Sequence, residues 1–318
     1  MSALENTMRP ALCNNRSWMT AANSAWAYYQ YRLGARALKA PLDGLEPTER
    51  GTLVHAVLEL CWRDPALSEG QTALQALAPQ VLETLVLQAA DAALQRFAEQ
   101  RHEPLSPAFL ALERERLAKL ALAWLAVEAA RPQPFRVSAC EQPHVLDIEG
   151  VEIRLVLDRI DALADGRLVL LDYKTGQKPD FRNWAKMRLR EPQLPVYAAL
   201  CLTEGDVAAV CFAMVRTEEH GFSGIAAEAD LLHGVSGLDD KKGRGIFSLE
   251  LFPHWPALLE HWKRCTEEIV RELKAGEAAV KFDDEKLLAY CEVLPLLRLP
   301  ERRLQFERRQ AASRGAAA

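Results

Sequence analysis

The residues best suited to chemistry lie in L-V-L-D-R-I-D-A-L-A-D-G-R-L-V-L-L-D-Y-K-T-G, Leu155 to Gly176. Asp158 ends one apolar stretch, Asp172 and Lys174 end the next, and Asp165-Gly166 between them signals a tight turn. Asp172 and Lys174 are two apart on a strand and so share a face. Adjacent carboxylates repel unless a cation lies between them, and an oxygen-rich site suits Mg²⁺ or Mn²⁺ rather than zinc. Lys174 then has a task, to orient or help deprotonate a water and to balance charge near a phosphate. These are the parts of a metal-dependent phosphodiesterase. Taken alone, D-Y-K also fits an ion pair at a strand end; Asp158 tips the reading toward a metal site. Asp161, at odd spacing from Asp158, is expected on the opposite face as a turn or salt-bridge residue.

Two further groups of residues could join this site. His55 stands in G-T-L-V-H-A-V-L-E (51–59) beside an apolar helix face, where a lone histidine is ordinarily a core residue. Glu59, four residues on, could orient its ring. Gln193 and Tyr197 share a helix face and could meet a phosphate or base edge, or simply form the polar edge of a packed helix.

The positioning elements follow from periodicity and breakers. Helices are expected at 17–33, from near Thr52 to before Pro65, at 71–100 and at 106–130. Strands then follow at 136–148, 151–158 and 167–173, joined by tight turns. A helix at 193–203, an apolar strand at 207–215, a mobile Gly- and Asp-rich loop at 229–248, and helices at 255–274 and 283–291 complete the chain. Val169-Leu170-Leu171 is continuously apolar, as in a central strand covered on both faces. This order suggests one α/β domain with an N-terminal helical layer.

Composition narrows the class. The 318 residues are 49% hydrophobic and 26% charged, an ordinary globular profile. No transmembrane or signal segment is expected. Seven scattered cysteines without a C-x-x-C pair suit reduced thiols and a cytoplasmic location. Net charge is -5, so contact with nucleic acid would need a local basic track. Arg182, Lys186, Arg188 and Arg190 offer one, and the arginines of 298–314 another, although that tail also reads as a solvated or frayed end.

G-x-x-x-H-x-x-L-E (51–59), D-R-I-D (158–161), D-Y-K-T-G (172–176) and Q-x-x-x-Y (193–197) occur in one order. Together they resemble the RecB/AddB-type nuclease domains of the PD-(D/E)XK superfamily, from about Trp18 to Arg303. The resemblance implies a restriction-endonuclease-like mixed central sheet with flanking helices. It also implies a divalent-metal-dependent DNA nuclease of repair and recombination, acting as an exonuclease on single-stranded or end-unwound DNA. His55, Asp158, Asp172 and the Tyr173 carbonyl would ligate Mg²⁺ or Mn²⁺, and Lys174 would be the catalytic lysine. Gln193 and Tyr197 would support the active site and DNA binding. On this basis residues 1–16 are an extension, 17–303 the nuclease domain and 304–318 a basic tail.

The chain also departs from that pattern. Related domains often hold an iron–sulfur cluster on four cysteines, but here Ser24, Ala25, Leu288 and Leu297 stand near or at the expected places and only Cys291 remains. No cluster is expected, and apolar packing would join the two ends instead. Leu155 replaces a usual glycine and is expected to narrow the approach to the metal. No G-x-x-x-x-G-K-[ST] motor is present in this sequence; the resemblance implies DNA, with a helicase or another repair protein, as partners. The rival reading is a catalytically silent DNA-binding or scaffolding module.

Overall fold

The structure, a computed structural model, describes residues 29, 33–35, 44–101, 104–202, 207–276, 291 and 293–315. The expected helices at 17–33 and 283–291, most of their aromatics, and Ser24, Ala25 and Leu288 lie outside these residues. Contacts divide the chain into two compact units, residues 41–146 with 154–266, and residues 1–40 with 147–153 and 267–318.

The larger unit opens with α1 (Pro47–Arg63). It begins five residues before the expected Thr52, because Pro47 occupies the first helical position and the Glu49 carboxylate accepts the Glu46 amide at 2.8 Å. The helix expected over 71–100 is two, α2 (Gln71–Ala76) and α3 (Pro79–Glu99). Pro79 drives Ala78 to extended backbone, φ -63° and ψ 141°, and the chain turns there. In α4 (Pro107–Ala129) the Ser106 hydroxyl accepts the Phe109 amide at 3.2 Å.

Strands β1 (Phe135–Ile148), β2 (Val151–Leu163) and β3 (Leu168–Lys174) follow. After a π-helical segment at Tyr197–Cys201 come β4 (Val207–Val215), β5 (His220–Ala226) and β6 (Val235–Gly237). They form one six-stranded sheet in the order β1-β2-β3-β4-β5-β6. It is mixed: β2–β3 and β4–β5 are antiparallel, β3–β4 and β5–β6 parallel. This is the α/β fold with flanking helices that the sequence suggests. All of β4 and Val169, Leu170 and Leu171 of β3 are buried, as expected for strands covered on both faces. One sheet face (Val169, Leu171, Ala209, Cys211) packs on Leu53, Val57, Leu58, Leu117, Trp124 and Leu125 of α1 and α4.

The segment 229–248 is ordered rather than a mobile loop. It carries β6 and α5 (Lys241–Ile246), where Asp240 accepts the Gly243 amide at 2.6 Å. Strand β5 was hidden by its glycines. Gly224 faces β4 so closely that a Cβ would fall 2.2 Å from the Val210 oxygen, so the position excludes any larger residue.

In the smaller unit, Cys291, Val293 and Leu297 are buried together, with Tyr29, Ala35 and Leu299 packed on them. Apolar contact thus joins residues from the two ends of the chain. Of the basic tail, Leu299–Gly315 is one helix whose side chains from 300 to 309 are exposed. Helix Trp255–Lys274 has the expected bounds, and no described helix is long and apolar enough to cross a membrane.

Candidate metal centre

Register brings the two aspartates together. The β2–β3 ladder pairs Ala162 with Leu168 through Arg159 with Leu171, and one step further sets Asp158 across from Asp172. Strand β2 runs on to Leu163, so Asp158 lies within it rather than at its end. Asp172 is 1% exposed and its Oδ2 lies 2.7 Å from Lys174 Nζ. Among the described residues neither of its oxygens accepts a well-aligned hydrogen bond. A buried carboxylate left so under-satisfied is costly without a further cationic partner.

Asp158 is better held. Its Oδ2 accepts the Tyr173 amide at 2.5 Å, and its Oδ1 lies 3.3 Å from His55 Nδ1. His55 is half-buried at the sheet-facing edge of α1, its ring edge-on to Tyr173 at 5.7 Å. Gly51, one turn earlier, sits so close to the end of β3 that a Cβ would lie 3.0 Å from Thr175 Oγ1. The two motifs therefore meet through a glycine. Glu59 does not orient the His55 ring; it pairs with Arg63 at 2.7 Å. Leu155 alternates to the strand face opposite Asp158 and is buried there, so it does not narrow the approach to that carboxylate.

Glu141 also reaches this site, unforeseen from the sequence. It lies on β1 with its Oε1 4.0 Å from His55 Nδ1, and ligand atoms of His55, Glu141 and Asp158 all fall within 4.8 Å of one another. Its backbone is left-handed at φ 48°, uncommon for a non-glycine residue in a strand. No motif marks it. The one available signal was an acidic residue within a strand predicted to neighbour β2.

Electrostatics fit a cation here. Burial pushes Asp172 up to about 6, with Lys174 opposing the shift and Asp158 adding to it. Burial and the Asp158 charge push Glu141 up to about 7. Burial works against charge on His55, but Asp158 overrides it and lifts the imidazole to about 9. Burial likewise disfavours charge on Asp158, yet His55 and the Tyr173 amide hold its carboxyl below the ordinary value. Folding thus raises the proton affinity of Asp172, Glu141 and His55, and the His55, Glu141 and Asp158 group beside Asp172 is a donor set that would suit a divalent cation.

The opposite face of β2 holds buried charge. Arg159 and Asp161, as expected at odd spacing from Asp158, turn toward the helices. Arg159 pairs with Asp161 at 2.8 Å and Glu128 at 2.8 Å, and donates to the Tyr173 hydroxyl at 2.9 Å. Arg131 contacts both acids, and its guanidinium lies 3.8 Å from the Phe135 ring centroid. Asp161 is therefore a salt-bridge residue, fully buried.

Gln193 donates to the Val156 carbonyl, two residues before Asp158, and so ties its short helix to β2. Tyr197 is fully buried against His144 at 4.9 Å, and its hydroxyl has no hydrogen-bond partner among the described residues. In this arrangement both pack against the strands rather than face solvent. Arg182 and Lys186 are exposed, with Arg182 paired to Asp180 at 2.7 Å, and Arg188 and Arg190 are half-buried.

Residues 21–295 match the profile of the PD-(D/E)XK nuclease superfamily. The chain belongs to that superfamily, whose nucleases are metal-dependent phosphodiesterases. No curated protein matches the sequence closely enough to add to this assignment.

Proposed function

We propose that this chain is a DNA nuclease of the RecB/AddB type, acting as an exonuclease on single-stranded or end-unwound DNA in repair or recombination. The observation that supports this best is Asp172, buried, under-satisfied and set across from Asp158 beside Lys174. His55, Asp158, Asp172 and the Tyr173 carbonyl would hold Mg²⁺ or Mn²⁺, with Glu141 as an added carboxylate. When bound, such an ion polarises the phosphate and acidifies a water. Asp172 and Glu191 keep the Lys174 ammonium charged despite burial, so Lys174 acts as a donor that orients the water and offsets charge on the phosphorane. Gln193 fixes the strand that carries Asp158. Arg182 and Lys186 supply sequence-independent phosphate contacts. The apolar packing around Cys291 and Leu297 supports a RecB/AddB-type domain braced without a cluster; stoichiometric iron in purified protein would contradict that point.

The test is degradation of labelled linear single- and double-stranded DNA with Mg²⁺ or Mn²⁺, with an RNA arm, comparing wild type with Lys174→Met. Metal-dependent loss of DNA in wild type alone is expected. If both proteins are inert on every substrate, the chain is a silent binding or scaffolding module. Cleavage of RNA alone would redirect the substrate.

Two further outcomes follow from the site. Asp172, Glu141 and His55 all bind protons more tightly folded than unfolded, at about 6, 7 and 9. The native state then holds more protons than the unfolded one, so metal-free stability should fall as pH rises from about 4 to about 9. Added Mn²⁺ should raise the melting temperature more at the upper end of that window, since it replaces those protons. A flat metal-free profile in thermal melts would contradict the site. Glu141→Gln should raise the Mn²⁺ concentration needed for half-maximal stabilisation by about tenfold, with the fold retained, as read in the same melts.

A further inference from the structure

Lys174 is held from two sides. Asp172 Oδ2 lies 2.7 Å from its Nζ, and Glu191 Oε2 lies 3.3 Å away. Only the first of these is a candidate metal ligand. A cation drawing on Asp172 would compete for the carboxylate that pairs with Lys174, whereas Glu191 would stay with the ammonium.

Three features fix Glu191 there. Its backbone is left-handed at φ 49°, although a residue before proline, here Pro192, ordinarily takes extended backbone. The fully buried Trp184 indole donates to the carbonyls of both Arg190 and Glu191, each at 3.2 Å. Trp184 is itself held by Trp262, whose indole donates to the Trp184 carbonyl at 2.9 Å, and it packs on Phe212 at 5.0 Å. The Phe212 ring also lies under Lys174, 5.5 Å from Nζ. One aromatic stack therefore supports both the lysine and the turn that presents Glu191 to it. An uncommon backbone state fixed by buried groups marks a functional constraint.

We infer that Glu191 is a positioning residue for Lys174, holding its ammonium toward the reacting phosphate when a metal ion engages Asp172. This rests on the proposed role of Lys174. Its electrostatic logic is that the ammonium keeps one dedicated counter-charge while the other is shared.

The experiment uses the full chain with Glu191→Gln, Glu191→Asp, Lys174→Met and the Glu191→Gln/Lys174→Met double variant. With Mg²⁺ and linear DNA, Glu191→Gln should lower kcat about ten- to a hundredfold, as misplacement of a reacting group does. KM for DNA and half-saturation by Mg²⁺ should shift by less than about twofold. Glu191→Asp should recover most of kcat, and Glu191→Gln should cost nothing further once Lys174 is Met. A second readout needs no turnover: acetylation of Lys174 in the Mg²⁺-loaded protein, followed by peptide mass spectrometry, should speed up severalfold in Glu191→Gln. Wild-type kcat in Glu191→Gln, an equal loss in the Lys174→Met background, or unchanged acetylation would overturn the inference. An inert wild type would instead sink the nuclease reading, and the acetylation rate would still decide whether Glu191 holds Lys174.

Discussion

Replacing Lys174 with methionine should lower kcat on linear DNA by about 10²–10⁴ while leaving the fold and DNA affinity intact. Methionine is one heavy atom shorter but keeps an unbranched apolar chain beside Phe212, so the loss chiefly reports the ammonium. The direction of the metal effect separates this role from a structural one. Lys174 opposes the burial-driven rise of the Asp172 carboxyl, so it competes with any cation at that carboxylate. Without it, half-saturation by Mg²⁺ should stay constant or fall. A variant that needs more Mg²⁺ and recovers full kcat at saturation would show that Lys174 merely organises the metal site.

The second large effect is on stability. Arg159→Met should cost about 3–5 kcal/mol, because it leaves the fully buried Asp161 and Glu128 with Arg131 as their remaining cation. Burial works against charge on Arg159, yet Asp161 and Glu128 hold its pKa well above the ordinary arginine range. The lost energy is a large share of the about 5–15 kcal/mol that holds a typical native state. Arg182→Met, which breaks an exposed pair with Asp180, should leave the denaturant midpoint nearly unchanged. Denaturant midpoints of the two variants make the comparison. Equal losses would mean that the buried cluster contributes no more than a surface pair.

Much of the centre could be read from sequence because strand alternation is strict. The spacing of Asp172 and Lys174, the opposite facing of Asp161, and the neighbouring of Asp158 and Asp172 all follow from a period of two and a tight turn. Helix ends were harder where two signals competed. The start expected near Thr52 falls inside a helix that Pro47 had already opened, and Gly51 within it is a point of close approach. Glu141 and Glu191 were invisible for another reason. Each sits in left-handed backbone that no motif marks, and its partner is distant in sequence. Glu59 misled because helical spacing put two residues within reach of it, and it pairs with Arg63 while His55 turns to Asp158. Leu155 misled because a residue three before an aspartate on a strand faces away from it.

Asp158 and Arg159 are consecutive residues serving opposite faces of β2, and Tyr173 sits likewise between Asp172 and Lys174 on β3. A slip of either strand by one residue would exchange these roles. It would put a guanidinium where the cation should bind and leave a bare carboxylate against Trp62 and Phe135, the rings that flank Arg159. Misalignment is thus penalised on both faces at once. Strand register is therefore a requirement of the site's chemistry as well as of the core.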